Sequence, residues 1–171
     1  IRSFVAMGFG YKQSDAGFEA LINLIDNETD PNVIAEAANS LAKFGDAAVP
    51  FLAQLFHQES NWLVRQSILA AIGGTRYPDV LIELCRLAFD DSDRVIQETA
   101  IAHLEVFPNT PQADDALDLL FAAAIAPDGA IRAQAARVLR KFDDPRAQAA
   151  LVELRRDTDH RVIGAMLEGL L

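Results

Sequence analysis

The chain has 171 residues, half of them hydrophobic (51%), with 15 Lys and Arg against 25 Asp and Glu for a net charge of −10. That content supports a buried core and excludes a disordered tail, while the negative charge opposes nucleic-acid phosphates and anionic lipid. No apolar run reaches membrane-spanning length, and the single Cys85 has no intramolecular disulfide partner. It reads instead as a small buried hydrophobe in a reducing, cytoplasmic setting.

In chain order, residues 1–10 predict a helix with Ile1, Val5, Ala6 and Phe9 inward and Gly10 as its stop. Asp15 to Ile25 predicts the next, with Phe18, Leu21, Ile22 and Ile25 on one stripe. Asp30-Pro31-Asn32 opens a helix over 31–43 that buries Val33, Ala37, Ala38 and Leu41. Asp46 to Phe56 is helical with Pro50 near its start, and Asn61 caps a helix over 62–73 carrying Val64, Ile68, Leu69 and Ile72 before Gly73-Gly74. Pro78 to Ala88 follows, then a helix over 94–107 capped by Asp93. Pro108-Asn109-Thr110-Pro111 forbids continuous helix. Helix resumes near Ala113, Asp128 caps one over 129–141, Asp144-Pro145 opens another, and Asp159 caps a last one over 160–171.

The second helix of each pair starts from an anchor residue: Ile1, Val33, Val64, Ile96, Ile131 and Val162. These anchors are spaced by 32, 31, 32, 35 and 31 residues. A period this regular predicts an all-α solenoid of about five stacked antiparallel helix pairs. At roughly 10 Å between helix axes, five pairs extend over about 50 Å. The chain reads as a single repeat domain over 1–171, cut from a longer array, because it opens inside a repeat and closes on Leu170-Leu171 without a polar cap. Small residues at Gly8, Ser40, Ala71, Val138 and Gly169 are expected to let backbones approach, and Phe44, Phe107 and Phe142 to plug the ends of pairs.

The phrases AAVPFLAQLFHQESNWLVRQSILAAIG and DPRAQAALVELRRDTDHRVIGAMLEGL resemble HEAT repeats of the short bacterial type named after phycobilisome lyases. That pattern joins an Asp-rich turn, a Val-Arg pair, spaced alanines and a closing Leu-Gly. The Arg stands at Arg2, Arg65 and Arg132 and gives way to Ile34, Gln97 and Ile163. The closing Gly stands at Gly10 and Gly73 and gives way to Ala42, Glu105 and Arg140. The resemblance implies a HEAT-like superhelix serving as an adaptor or, alternatively, a bilin-lyase-related or phycobiliprotein-handling subunit.

No residue cluster specifies a reaction, so no catalytic, cofactor-binding or metal-binding residues are expected. The acidic turns at Asp26, Glu28, Asp30, Glu59, Asp90, Asp91, Asp93, Asp128, Asp157 and Asp159 read as helix caps before they read as a cation ridge. Arg2, Arg65 and Arg132 read as forks to the acidic turn of an adjacent repeat. His57, His103 and His160 are about one and two repeats apart, which argues against a metal centre. None precedes a Glu, unlike the His-Glu pairs of iron-binding hydroxylases built from similar repeats. A repair glycosylase of this architecture needs a basic groove, which the charge opposes.

HEAT arrays usually offer their concave face, lined by the second helices. Counting two, three and six residues past each anchor gives Ala35, Glu36 and Asn39; Gln66, Ser67 and Ala70; Glu98, Thr99 and Ala102; Ala133, Gln134 and Arg137. From these, with Trp62 as an edge anchor, Glu36, Asn39, Trp62, Gln66, Glu98, Gln134 and Arg137 are the expected partner-binding residues. The expected function is a non-catalytic protein-interaction module or scaffold whose partner is another protein with a basic surface, without nucleic acid or membrane.

Overall fold

The computed structural model describes residues 1–74 and 76–168, which divide into two compact units, Ile1–Gly73 and Gly74–Leu171. Among the described residues every regular element is helical. The predicted Gly169 and the closing Leu170-Leu171 lie outside them.

The first unit holds α1 (Arg2–Lys12), α2 (Asp15–Asn27), α3 (Pro31–Ala42), α4 (Val49–Gln58) and α5 (Trp62–Ile72). Helices α1, α3 and α5 pack on one another as a layer, with α2 and α4 against its back. Side-chain size explains this arrangement. The middle helix α3 presents Ala35, Ala37, Ala38 and Ser40, all buried, so its neighbours come close. Helices α2 and α4 carry Phe18, Ile22, Phe51 and Leu55 and stand farther apart. The core between the layers is built from Leu21, Leu41, Leu52, Phe56, Ile68 and Leu69, each no more than 1% exposed.

The second unit repeats this logic with α6 (Pro78–Phe89), α7 (Arg94–His103), α8 (Ala113–Ala124), α9 (Gly129–Leu139), α10 (Pro145–Leu154) and α11 (His160–Leu167). Helices α7, α9 and α11 form the close layer, and α6, α8 and α10 back it. Again the middle helix is rich in small residues: Gly129, Ala133, Ala135 and Ala136 are buried on α9. Phe107 and Phe142 are buried as predicted, while Phe44 is half-buried and meets Phe18 edge-on at 5.2 Å.

Five local expectations need correction. Ile1 and Val5, predicted inward, are 100% and 50% exposed: α1 packs chiefly on α3 and α2, and these two side chains line an open groove beside Ala20, Asn23 and Leu24 of α2. Helix α1 does not stop at Gly10: it runs on to Lys12 and ends on Gln13, whose backbone takes the left-handed conformation (φ 46°) that a closing glycine would otherwise supply. Gly8 is not a close approach, since a Cβ there would meet nothing within 4 Å. The tight contact belongs to Gly10, where a Cβ would lie 2.8 Å from the Ser40 Cβ and 2.9 Å from its Cα. Residues Gly45–Ala47 form a 3-10 turn, so α4 starts at Val49, and α7 gives way at Leu104–Val106 to another. In the irregular turn, Asn109 adopts φ 62° and Thr110 Oγ1 donates to the Phe107 carbonyl, which absorbs the extra residues of the long repeat.

Candidate functional site: the second-helix surfaces

The turns that lead into the second helices carry two caps in succession. The cap residue itself accepts from the N–H two residues on: Asp30 from Asn32, Asn61 from Leu63, Asp93 from Val95, Asp128 from Ala130 and Asp159 from Arg161. An acid two residues earlier then accepts the cap's own N–H: Glu28 from Asp30, Glu59 from Asn61, Asp91 from Asp93 and Asp157 from Asp159. Most of the acidic ridge of the sequence is thereby engaged at these turns, Asp26 and Asp90 excepted, which stand at the C-terminal ends of α2 and α6. Among the described residues no group of three or more His, Cys, Asp or Glu is placed to hold a metal ion.

Arginine ties one repeat to the next in each unit. Arg2 Nε donates to Glu28 Oε2 at 2.6 Å, and Arg132 grips Asp157 with Nε at 2.7 Å and Nη2 at 3.0 Å. Arg132 Nη1 also donates to the carbonyls of Ala126 and Pro127. Gln97, which stands where the pattern has Arg, donates to the carbonyls of Phe89 and Asp91. These forks hold the carboxyls below their ordinary range. For Asp157 the Arg132 guanidinium is the first cause, and for Glu28 the N–H groups of Asp30 and Thr29 outweigh Arg2. Arg65 lays its guanidinium over the Phe56 ring at 4.2 Å.

On the first unit's second-helix surface, Trp62, Gln66 and Ala70 lie in one row on α5, each four residues from the next. Trp62 is 45% exposed, Ala70 is exposed, and Gln66 and Ser67 are half-buried. On the neighbouring α3, Asn39 is exposed and Glu36 is half-buried, accepting from Ser40 Oγ at 3.3 Å. Among the described residues neither the Asn39 nor the Gln66 side chain has a hydrogen-bond partner. Ala35, projected onto this surface, is instead buried, because α3 is flanked by α1 and α5 and positions two past the anchor lean into that packing. Ala133 is buried on α9 for the same reason.

The second unit's surface differs in chemistry. Glu98 pairs with Arg94, and Arg137 makes a two-pronged contact with Glu168 at 2.8 and 2.9 Å. Gln134 accepts from Arg137, and Asp128 faces both Arg94 and Arg161. The charges predicted to meet a partner are thus met within the unit. His103 is half-buried on α7, where burial lowers its pKa and Glu105 partly offsets this. Cys85 is buried and its thiol is pushed up to about 12.

The projection missed Tyr11, which is 75% exposed on α1 and lies under the Lys43 ammonium, 4.2 Å from its ring centre. The signal was available: Tyr11 and Lys43 each stand ten residues past their anchors.

A family model for HEAT repeats matches the chain over residues 1–73, 18–105 and 81–170. Among solved structures, a designed armadillo repeat protein in complex with the peptide (KR)4 is similar at a TM-score of 0.60 and 18% identity, over 99% of this chain and 88% of that one. At that identity the likeness speaks to the fold. No curated protein matches the sequence.

Proposed function

The chain belongs to the HEAT-repeat family, and on that premise we propose that it acts by shape, as a non-catalytic module that holds a segment of another protein. Repeat solenoids of this kind offer extended surfaces for binding proteins. The observation that carries the reading is the first unit's pair of uncommitted amides, Asn39 and Gln66, beside the half-exposed Trp62. A side-chain amide presents both donor and acceptor, the complement of a peptide backbone. An indole with one face covered and one open is a good anchor for a partner side chain.

Glu36 sits at the edge of the same surface, while in the second unit Glu98, Gln134 and Arg137 are committed to neighbours of that unit. The designed armadillo protein's complex with a (KR)4 peptide supports a peptide-like ligand, and the net charge of −10 favours a basic one. Within the family we place the repeats in the short phycobilisome-lyase-like class, on the Asp-capped turns and on the forks from Arg2 and Arg132. We read the 171 residues as one repeat array and its setting as cytoplasmic; no helix among the described residues is long and apolar enough to cross a membrane.

The test is capture of partner proteins on the immobilised chain, compared with a Trp62→Ala/Gln66→Ala variant of matched urea stability. The proposal expects the variant to lose at least one partner by about fivefold or more. Full retention of every partner by the variant overturns it.

A further inference from the structure

The same unit carries a second surface on its other layer. Between α2 and α4 runs a groove of about 160 Å³, with Ile22, Ile25, Phe51 and Leu55 on its apolar wall, Leu41 in its lining, and Gln54, Gln58 and Asp26 as its polar part. Phe51 is 42% exposed and held upright by Phe18, whose ring meets it edge-on at 5.5 Å. The opening therefore has a fixed apolar wall and the volume of one large side chain.

Its charge is one-sided. Asp15, Glu19, Ile22 and Asp26 follow one another at four, three and four residues along α2, so the carboxylates form a row beside the slot. Neither α2 nor α4 contains Lys or Arg. Among the described residues Asp15, Glu19 and Asp26 have no ion-pair partner, unlike the acids of the caps and forks. Asp26 stands in the last turn of α2 with no basic residue there, where the helix dipole disfavours a negative charge. A cation from outside would relieve that placement.

We propose that the α2–α4 groove docks a basic amphipathic helix of a partner protein. One bulky apolar side chain fills the slot, and Lys or Arg residues on adjacent turns meet Asp26, Glu19 and Asp15. The row from Asp15 to Asp26 covers about three helical turns, roughly 16 Å, which sets the length of partner helix engaged. A ridge of side chains entering the furrow between two helices is the usual way such contacts pack. This site is independent of the second-helix surface, and either can fail without the other.

The experiment is fluorescence anisotropy on the full chain with a labelled peptide of about 18 residues, Leu at helical spacing on one face and Lys with Ala elsewhere. Comparison peptides replace every Leu by Ser, or every Lys by Glu. The expected result is saturable binding that falls by about fivefold or more in Phe51→Ser and in Asp26→Lys, and for both comparison peptides. Trp62→Ala/Gln66→Ala should bind the probe as the unaltered chain does. Asp26→Lys places a favourable charge at a helix C-terminus, so loss of binding there is not loss of folding. Absence of binding, equal binding of either comparison peptide, or retention in both Phe51→Ser and Asp26→Lys overturns the proposal. So does loss confined to the Trp62→Ala/Gln66→Ala variant.

Discussion

Two glycines on α1 should respond in opposite directions to the same substitution. At Gly8 an added Cβ meets nothing within 4 Å, so Gly8→Ala changes only backbone freedom and should stabilise by up to about 1 kcal/mol. At Gly10 the added Cβ lands 2.8 Å from the Ser40 Cβ and 2.9 Å from its Cα, well inside ordinary contact. Because a backbone atom is among those struck, no rotamer change relieves it, and α1 must move off α3. Overpacking of this kind costs about 1–3 kcal/mol, against which the same helix-propensity gain works. The difference between the two variants cancels propensity and should be about 1–3 kcal/mol in favour of Gly8→Ala. Urea unfolding at equal m-value measures it, and Ser40→Gly in the Gly10→Ala background should recover part of the loss through a coupling term. If Gly10→Ala stabilises as much as Gly8→Ala, the close crossing of α1 and α3 is wrong.

Other outcomes follow from the same geometry. Arg132→Lys keeps the charge but not the fork to Asp157 or the reach to the Ala126 and Pro127 carbonyls, and should cost about 1–3 kcal/mol in urea unfolding; no measurable change would show that the fork does not couple these repeats. Cys85, buried and with its thiol pushed up to about 12, should resist a thiol reagent at pH 8 until denaturant is added. Rapid labelling of the native chain would contradict its position in the core. The Asp144 carboxyl, held at about 2 chiefly by the Arg146 guanidinium, favours the folded state above its unfolded pKa of about 4, and that contribution is lost as pH falls towards 2. Asp144→Asn should therefore lower the pH dependence of the urea midpoint between about 5 and 2, and an unchanged slope would refute the assignment.

What was legible in the sequence was whatever recurs. The anchors Val33, Val64, Ile96, Ile131 and Val162 are buried, and Asp30, Asn61, Asp93, Asp128 and Asp159 cap the helices they precede, because burial and capping are decided within one or two helical turns; the first anchor, Ile1, is fully exposed. The Arg2 and Arg132 forks were legible for the same reason, as each reaches a turn one period away. What failed were inferences needing the crossing of neighbouring helices. Gly8 and Gly10 differ by two residues in one helix, yet only the angle between α1 and α3 decides which of them Ser40 approaches. Ala35 and Ala133 projected outward on a single helix but are covered by the helices on either side. The pairings of Glu98 and Arg137, by contrast, follow from spacing: Arg94 and Glu98 stand four residues apart on one helix, and Arg137 meets Glu168 at the same position one repeat on.

The distribution of charge has a consequence for how such a module can bind. In the second unit, Arg94, Arg137 and Arg161 sit among Glu98, Asp128, Asp159 and Glu168, so a charged ligand arriving there must displace existing pairs and gains little net attraction. In the first unit the second-helix surface is nearly neutral, and its uncommitted groups are amides and an indole. A ligand there loses little by desolvation and is selected by shape and hydrogen bonding. The uncompensated carboxylates of that unit lie instead on α2, beside an apolar slot. Removing α2 charge should therefore weaken capture of basic partners and reduce its salt dependence, while substitutions at Asn39 or Gln66 should weaken capture without altering its response to salt.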